Sequence, residues 1–261
     1  MKLAISGKGG VGKTTLAALL AHGFARDGRK VLAVDADPDA NLGSALGFPR
    51  SILETLTPVA QRSAIIEERT GARPGVLGQI FSLNPRVDDL PEQFWVEREG
   101  VRLLVMGTVA QGGAGCACPE NTFLSRLVKH LVVEREDVVI LDMEAGLEHL
   151  GRGTARAVDA FVVVVEPGQR SVQTARSVVR LASDLGIRQV YVVANKVRPQ
   201  DMEALEEALA GLEVIGYLPY DPEAVAGDLA GAPVTAAPAL VAAAQDIRHR
   251  LSQAVGDREQ D

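Results

Sequence analysis

The segment Gly7-Lys8-Gly9-Gly10-Val11-Gly12-Lys13-Thr14 constrains this 261-residue chain more than any other. It fits the pattern G-x-x-x-x-G-K-S/T in full, and it has the flanks that the pattern needs. Residues 2–6 read as a short buried strand. Gly7–Lys13 reads as a glycine-rich turn, and Thr14 to about Arg26 as a helix with Leu16, Leu19, Leu20 and Phe24 at core spacing. Asp27-Gly28 ends that helix, and Lys30–Val34 is the next apolar run, closed by Asp35. A strand–loop–helix–strand unit is a crossover, and crossovers build parallel sheets with helices on both faces.

The same alternation returns along the chain. Val101–Met106, Asp137–Leu141, Ala160–Val165, Gln189–Ala194 and Glu213–Leu218 read as strands. They are rich in Val, Ile and Leu with little alternation, as strands buried on both faces are. Helices fill about 121–133, 169–185, 200–210 and 238–253. Residues 48–95 read as a helical insert followed by a loop holding Asn84-Pro85 and Leu90-Pro91. The expected fold is a single α/β P-loop domain over residues 1–255, with a mostly parallel central sheet flanked by helices and a polar tail at 256–261. No apolar run reaches the roughly 18 residues of a membrane span. The N-terminus runs straight into the glycine-rich motif, leaving no signal peptide, so a cytoplasmic location is expected. With 27 Lys+Arg against 34 Asp+Glu, a net charge of −7, the balance argues against nucleic acid as a main partner. Of six lysines, Lys8 and Lys13 sit together in the glycine-rich loop.

The chemistry of that loop follows from its residues. Gly7, Gly9, Gly10 and Gly12, with Val11 between them, let backbone N–H groups close around phosphate oxygens, and the helix N-terminus adds positive potential. Lys13 is expected to hold the β- and γ-phosphates and the Thr14 hydroxyl to bind Mg²⁺, with Thr15 beside them in the nucleotide-binding set. Strand ends face the ligand crevice of an open α/β sheet, so the carboxylates there gain meaning. In Val34-Asp35-Ala36-Asp37-Pro38-Asp39, Asp37 is assigned the water-activating role, Asp35 a supporting role on the metal side, and Asp39 a turn or helix cap. Val138-Val139-Ile140-Leu141-Asp142 is an apolar strand ending in Asp, and Asp142 is expected behind the Mg²⁺. Gly146, just beyond, is expected to offer its N–H to the γ-phosphate, while His149 reads as an ordinary structural His. Asn195-Lys196-Val197-Arg198 closes another strand. GTPases use Asn-Lys-x-Asp to bind guanine, and Arg198 at the Asp position cannot accept a hydrogen bond. ATP and ADP are therefore expected rather than GTP.

Cys116 and Cys118 are the only cysteines, on a glycine-rich loop running into a helix. Their spacing makes a disulfide strained. A thiol near a helix N-terminus ionises more easily, and thiolates take soft divalent metals such as Ni²⁺ and Zn²⁺. One chain offers two sulfurs and a dyad-related pair offers four, which points to a metal bridging a dimer. Two buried, inert cysteines are the plain alternative.

Lys8-Gly9-Gly10-Val11-Gly12-Lys13-Thr14-Thr15 resembles the deviant Walker A motif of the class containing the division-site and partition ATPases and the nitrogenase iron protein. That resemblance implies that Lys8 reaches a partner's nucleotide across a two-fold interface, where a solvated surface Lys is the plain alternative. It makes Lys8, Lys13 and Asp37 the expected catalytic set and an ATP-bound homodimer the active form. It also implies that Asn195 contacts adenine, with Lys196, Pro219 and Tyr220 completing the nucleotide contacts. Cys-x-Cys-Pro-Glu-Asn-x-Phe-Leu at 116–124, with the run from Asp142 to Ala155, is similar to the CooC-type accessory ATPases that mature the nickel site of carbon monoxide dehydrogenase. The resemblance spans essentially the whole chain. It implies Ni²⁺ or Zn²⁺ held by Cys116 and Cys118 of both subunits, and a partner enzyme of the carbon monoxide dehydrogenase type. No Cys lies between Asp142 and Ala155, where the nitrogenase iron protein carries a cluster ligand, so an iron–sulfur redox role is not expected. The tail at 256–261 is not the basic amphipathic helix of the division-site ATPases, so membrane docking is not expected. A dimerising partition or positioning ATPase with no use for the cysteines is the alternative function.

Overall fold

The computed structural model describes residues 1–76, 78–89, 94–107, 118–133, 138–144 and 157–256. In chain order these form β1 (Lys2–Gly7), α1 (Lys13–Arg26), β2 (Val31–Ala36), α2 (Leu42–Ala45), α3 (Arg50–Leu53), α4 (Ser63–Thr70), β3 (Trp95–Arg98) and β4 (Val101–Val105). They continue with α5 (Pro119–Val133), β5 (Val138–Met143), β6 (Ala160–Val165), α6 (Gln169–Asp184), β7 (Val190–Val197), α7 (Met202–Ala208), β8 (Val214–Pro219), α8 (Pro222–Leu229) and α9 (Pro238–Gly256).

The strands make one eight-stranded sheet in the order β3-β4-β2-β5-β1-β6-β7-β8. Every neighbouring pair is parallel except β3 with β4. Because side chains alternate along a strand, each central strand feeds two cores. Leu3 and Ile5 of β1 and Val138 and Ile140 of β5 pack with α1 and α9 on one face. Ala4, Val139 and Leu141 face the other core, with Phe123 and Leu127 of α5 and Val172 and Val178 of α6. The glycine-rich loop therefore emerges at the middle of the sheet, between β5 and β6, with strand ends on both sides.

The structure departs from the sequence reading at the edges. Residues 48–95 were expected to hold no strand, yet Trp95 opens β3, which folds back on β4 through Glu99 and Gly100, both at positive φ. An edge strand half-open to solvent needs only two apolar residues, here Trp95 and Val96, so it lacks the run that marks a buried strand. The sequence also gave no sign of α2 or α8; α8 buries none of its residues and so carries no core spacing. β5 continues one residue past Asp142 to Met143, and β7 runs through Val197, which puts Asn195 and Lys196 inside a strand. α9 reaches Gly256, the first residue of the expected tail. No helix among the described residues is long and apolar enough to cross a membrane.

Candidate nucleotide-binding site

Close backbone approach explains two of the loop glycines. A Cβ on Gly7 would stand 2.4 Å from the Val164 carbonyl oxygen of β6. Gly12 adopts φ 94, and a Cβ there would stand 2.0 Å from Nδ2 of Asn195. The loop then opens: Lys8, Gly9 and Gly10 are exposed, Val11 turns into the core, and Lys13 begins α1. Lys13 is only 6% exposed, and its Nζ lies 3.7 Å from Oδ2 of Asp37.

The carboxylates expected at the strand ends converge. Asp35 and Asp142 are register partners on the adjacent strands β2 and β5. The Thr14 hydroxyl donates to Oδ2 of Asp142 at 2.7 Å, while Oδ1 of Asp142 is buried without a hydrogen-bond partner. Burial pushes the Asp142 carboxyl up to about 6, against the opposing pull of the Thr14 hydrogen bond and the Lys13 charge. Burial likewise pushes Asp35 up to about 7, and the neighbouring Asp142 charge adds to the shift. Asp35, expected in support of the metal side, stands beside Asp142, and its two oxygens accept main-chain amides from Leu42 at 2.9 Å and Asp37 at 3.3 Å. It ties the loop after β2 to the start of α2. Asp39 sits in the turn before α2, the first of its two expected readings, and its side chain caps no helix. The Asp39 amide donates to Asp37 at 3.0 Å and its carbonyl accepts from Asn41 at 2.7 Å.

Asn195 and Lys196, expected among the nucleotide contacts, line the space beside the loop, and both side chains bond its backbone. Asn195 Nδ2 donates to the Val11 carbonyl at 2.8 Å. Lys196 Nζ donates to the Gly10 carbonyl at 2.6 Å and to Oε2 of Glu166 at 2.9 Å. Beside them a cavity of about 430 Å³ is lined by Gly12, Thr15, Asn195, Pro219, Tyr220 and Leu240, among others. Its wall is stiffened by the Arg198 guanidinium, 4.4 Å from the centre of the Tyr220 ring. Asp221 fixes the far rim by accepting from the amides of Glu223 and Ala224 at the start of α8. The cavity adjoins the loop and has the size of a small-molecule site.

Two residues that sequence reasoning passed over also shape the site. Ser6 at the end of β1 donates through its hydroxyl to the Glu144 carbonyl at 3.0 Å. Glu166 follows the apolar strand β6 directly, the same pattern that singled out Asp35 and Asp142, so its signal was present. Gly146, His149 and Cys116 lie outside the described residues. Cys118 is half-buried just before α5, and its carbonyl accepts the Thr122 amide at 3.1 Å. Among the described residues, no group of three or more His, Cys, Asp or Glu side chains is arranged to hold a metal ion.

Comparison with known proteins agrees with this geometry. Residues 2–234 match the CobQ/CobB/MinD/ParA nucleotide binding domain. CooC, the carbon monoxide dehydrogenase accessory protein of Rhodospirillum rubrum, is 47% identical over 232 residues, 88% of each chain. An uncharacterized ATP-binding protein of Methanocaldococcus jannaschii is 47% identical over 237 residues, 90% of this chain and 91% of its own. In fold, the chain resembles the septum site-determining protein MinD of Pyrococcus horikoshii complexed with Mg-ADP, at a TM-score of 0.67 and 20% identity over 98% of both chains. With a family match over most of its length and 47% identity to CooC, the chain belongs to the CobQ/CobB/MinD/ParA nucleotide-binding family and is a CooC-type ATPase.

Proposed function

We propose that this chain hydrolyses ATP as an accessory protein of a nickel enzyme of the carbon monoxide dehydrogenase type, and that two copies bind Ni²⁺ or Zn²⁺ between them through Cys116 and Cys118. The observation that carries the ATPase half is the Thr14–Asp142 pair at the foot of the loop. The likeness to CooC over nearly the whole chain supports the accessory role.

In this reading the loop amides and Lys13 hold the phosphates, and the adjoining cavity takes the adenine. The residues suit a magnesium ion. Thr14 offers a hydroxyl oxygen, and Asp142 has a buried oxygen still free to accept from metal-bound water. Mg²⁺ bound there supplies charge neutralisation to the phosphate oxygens. Asp37, already near Lys13, accepts a hydrogen bond from the attacking water and aims it at the γ-phosphorus, giving ADP and phosphate. Gly146 contributes its amide to the γ-phosphate. Lys8, exposed on the outer turn, is available to a partner's nucleotide. Cys118 stands directly before the 15-residue α5, half-buried. The metal ion is cargo in this scheme, gathered when nucleotide closes the dimer and given up when it opens.

The test is native mass spectrometry of the reduced protein with Ni²⁺ or Zn²⁺, with and without ATP, beside the Cys116→Ser/Cys118→Ser variant. A dimer holding one metal ion, lost in the variant, is the expected result. An ATP-dependent dimer that takes no metal and ignores the substitution overturns the metal role and leaves a positioning ATPase.

A further inference from the structure

Three strand ends, those of β1, β6 and β7, meet beside the outer turn of the phosphate loop. Two successive loop carbonyls, Gly10 and Val11, are both drawn toward β7, by Lys196 and Asn195 respectively. A trans peptide unit is planar, with its N–H opposite its C=O. Pulling the Gly10 and Val11 carbonyls toward β7 therefore turns the amides of Val11 and Gly12 the other way. The Val11 amide accordingly turns back across the loop and donates to the Lys8 carbonyl at 3.4 Å, which closes the turn, while the Gly12 amide is turned away from β7 with its peptide. Amides aimed into one concavity are what an anion-binding loop requires.

The grip has a cost that marks it as specific. Lys196 sits at φ 59, one of two non-glycine residues at positive φ among those described. Its ammonium also stands 2.9 Å from the Glu166 carboxylate, with both side chains partly open to solvent. An exposed ion pair alone contributes little. Here the carboxylate fixes the direction of a lysine whose other bond, at 2.6 Å, is to the loop. We propose that Glu166 and Lys196 form a clamp that sets the shape of the phosphate loop, with Glu166 a positioning residue that acts through Lys196. The proposal rests on the reading of this loop as a nucleotide site, and it gives Lys196 a task on the protein's own backbone instead of on the base.

The test is binding of a fluorescent ADP analogue by the full chain and its variants, with thermal melts to monitor folding. Lys196→Met is expected to weaken binding about tenfold and Glu166→Gln about threefold. In the Lys196→Met background, Glu166→Gln has no further effect, because its influence passes through the lysine. The KM for ATP rises in step while kcat stays within about twofold, a split that a general loss of fold does not produce. Wild-type affinity in either folded variant, or full additivity in the double variant, overturns the clamp. If Lys196→Met does not fold, Glu166→Gln decides by the same criterion. A wild-type chain that binds no ADP removes the nucleotide reading and the clamp with it.

Discussion

The phosphate loop and the segment from Phe48 to Asp89 are held in opposite ways. Around the loop, the side-chain ties to Gly10, Val11 and Thr14 come from far along the chain. Gly10 is held by a residue 186 positions away, Val11 by one 184 away and Thr14 by one 128 away. The segment is built from a four-residue helix, a short 3₁₀ turn and the eight-residue α4. Several of its ties are local, such as those from the Gln79 side chain to the carbonyls of Arg73 and Val76, and the longer ones, from the Ala60 amide to the Met106 carbonyl and from the Gly75 amide to Oε1 of Glu120, are single bonds. A few side chains, such as Val59, Ile66 and Val87, anchor it to the core, while Ile80 is 96% exposed and Leu83 76%. Long-range ties fix the position of backbone amides before any ligand arrives, and that preorganisation is what anion recognition needs. Where the segment's ties are local and its side chains exposed, as around Ile80 and Leu83, it tolerates change.

The contrast makes a graded set of expectations. The largest effect belongs to Gly12→Ala. A methyl group there meets Asn195 Nδ2 at 2.0 Å on a backbone of φ 94. We expect a loss of roughly 2–4 kcal/mol, from left-handed strain and the broken Asn195–Val11 bond, together with loss of ADP binding. Urea unfolding and ADP titration check it, and wild-type stability with wild-type binding would contradict the rigid picture of the loop.

A middle effect comes from the buried carboxylates. The folded chain holds the Asp35 proton up to about 7, whereas an ordinary Asp loses it near 3.8. The folded state therefore binds the proton more tightly, and the stability linked to it is present at low pH and fades as pH rises through about 7. Asp142, raised to about 6, adds to the same slope. The urea midpoint should be higher near pH 5 than near pH 8, and this difference should shrink in Asp35→Asn. An unchanged slope in that variant would show that Asp35 is not the group responsible.

The smallest effect is expected in the segment. Ile80→Ser should change stability by no more than about 0.5 kcal/mol and leave ADP affinity as it is. A larger loss would mean that the segment is tied to the core as firmly as the loop.

The loop, its flanking strand and helix, and the carboxylates of β2 and β5 were legible because each is a local pattern. Phosphate binding needs glycines and a lysine at fixed spacing, and a buried strand must be a run of apolar residues. The edge strand β3 and the solvent-facing α8 were not legible, because an element that buries one face poorly, or none, leaves no periodic trace. Glu166 stood where Asp35 and Asp142 stand, at the end of an apolar strand, and only its contact with Lys196 gave it a role.

By itself, then, the sequence determined the P-loop class of this protein, the strands and helices that carry its core, and the residues gathered at its nucleotide site. Those features follow from short-range covalent spacing and from the pattern of apolar side chains. What each polar group touches was decided only by the tertiary structure. Asp35 holds the amides of Asp37 and Leu42, and Asn195 and Lys196 hold the loop backbone, because buried donors and acceptors pair with whatever the packed sheet brings within about 3 Å. Those partners are set by strand order and register, which join residues more than a hundred positions apart and leave no mark on local sequence.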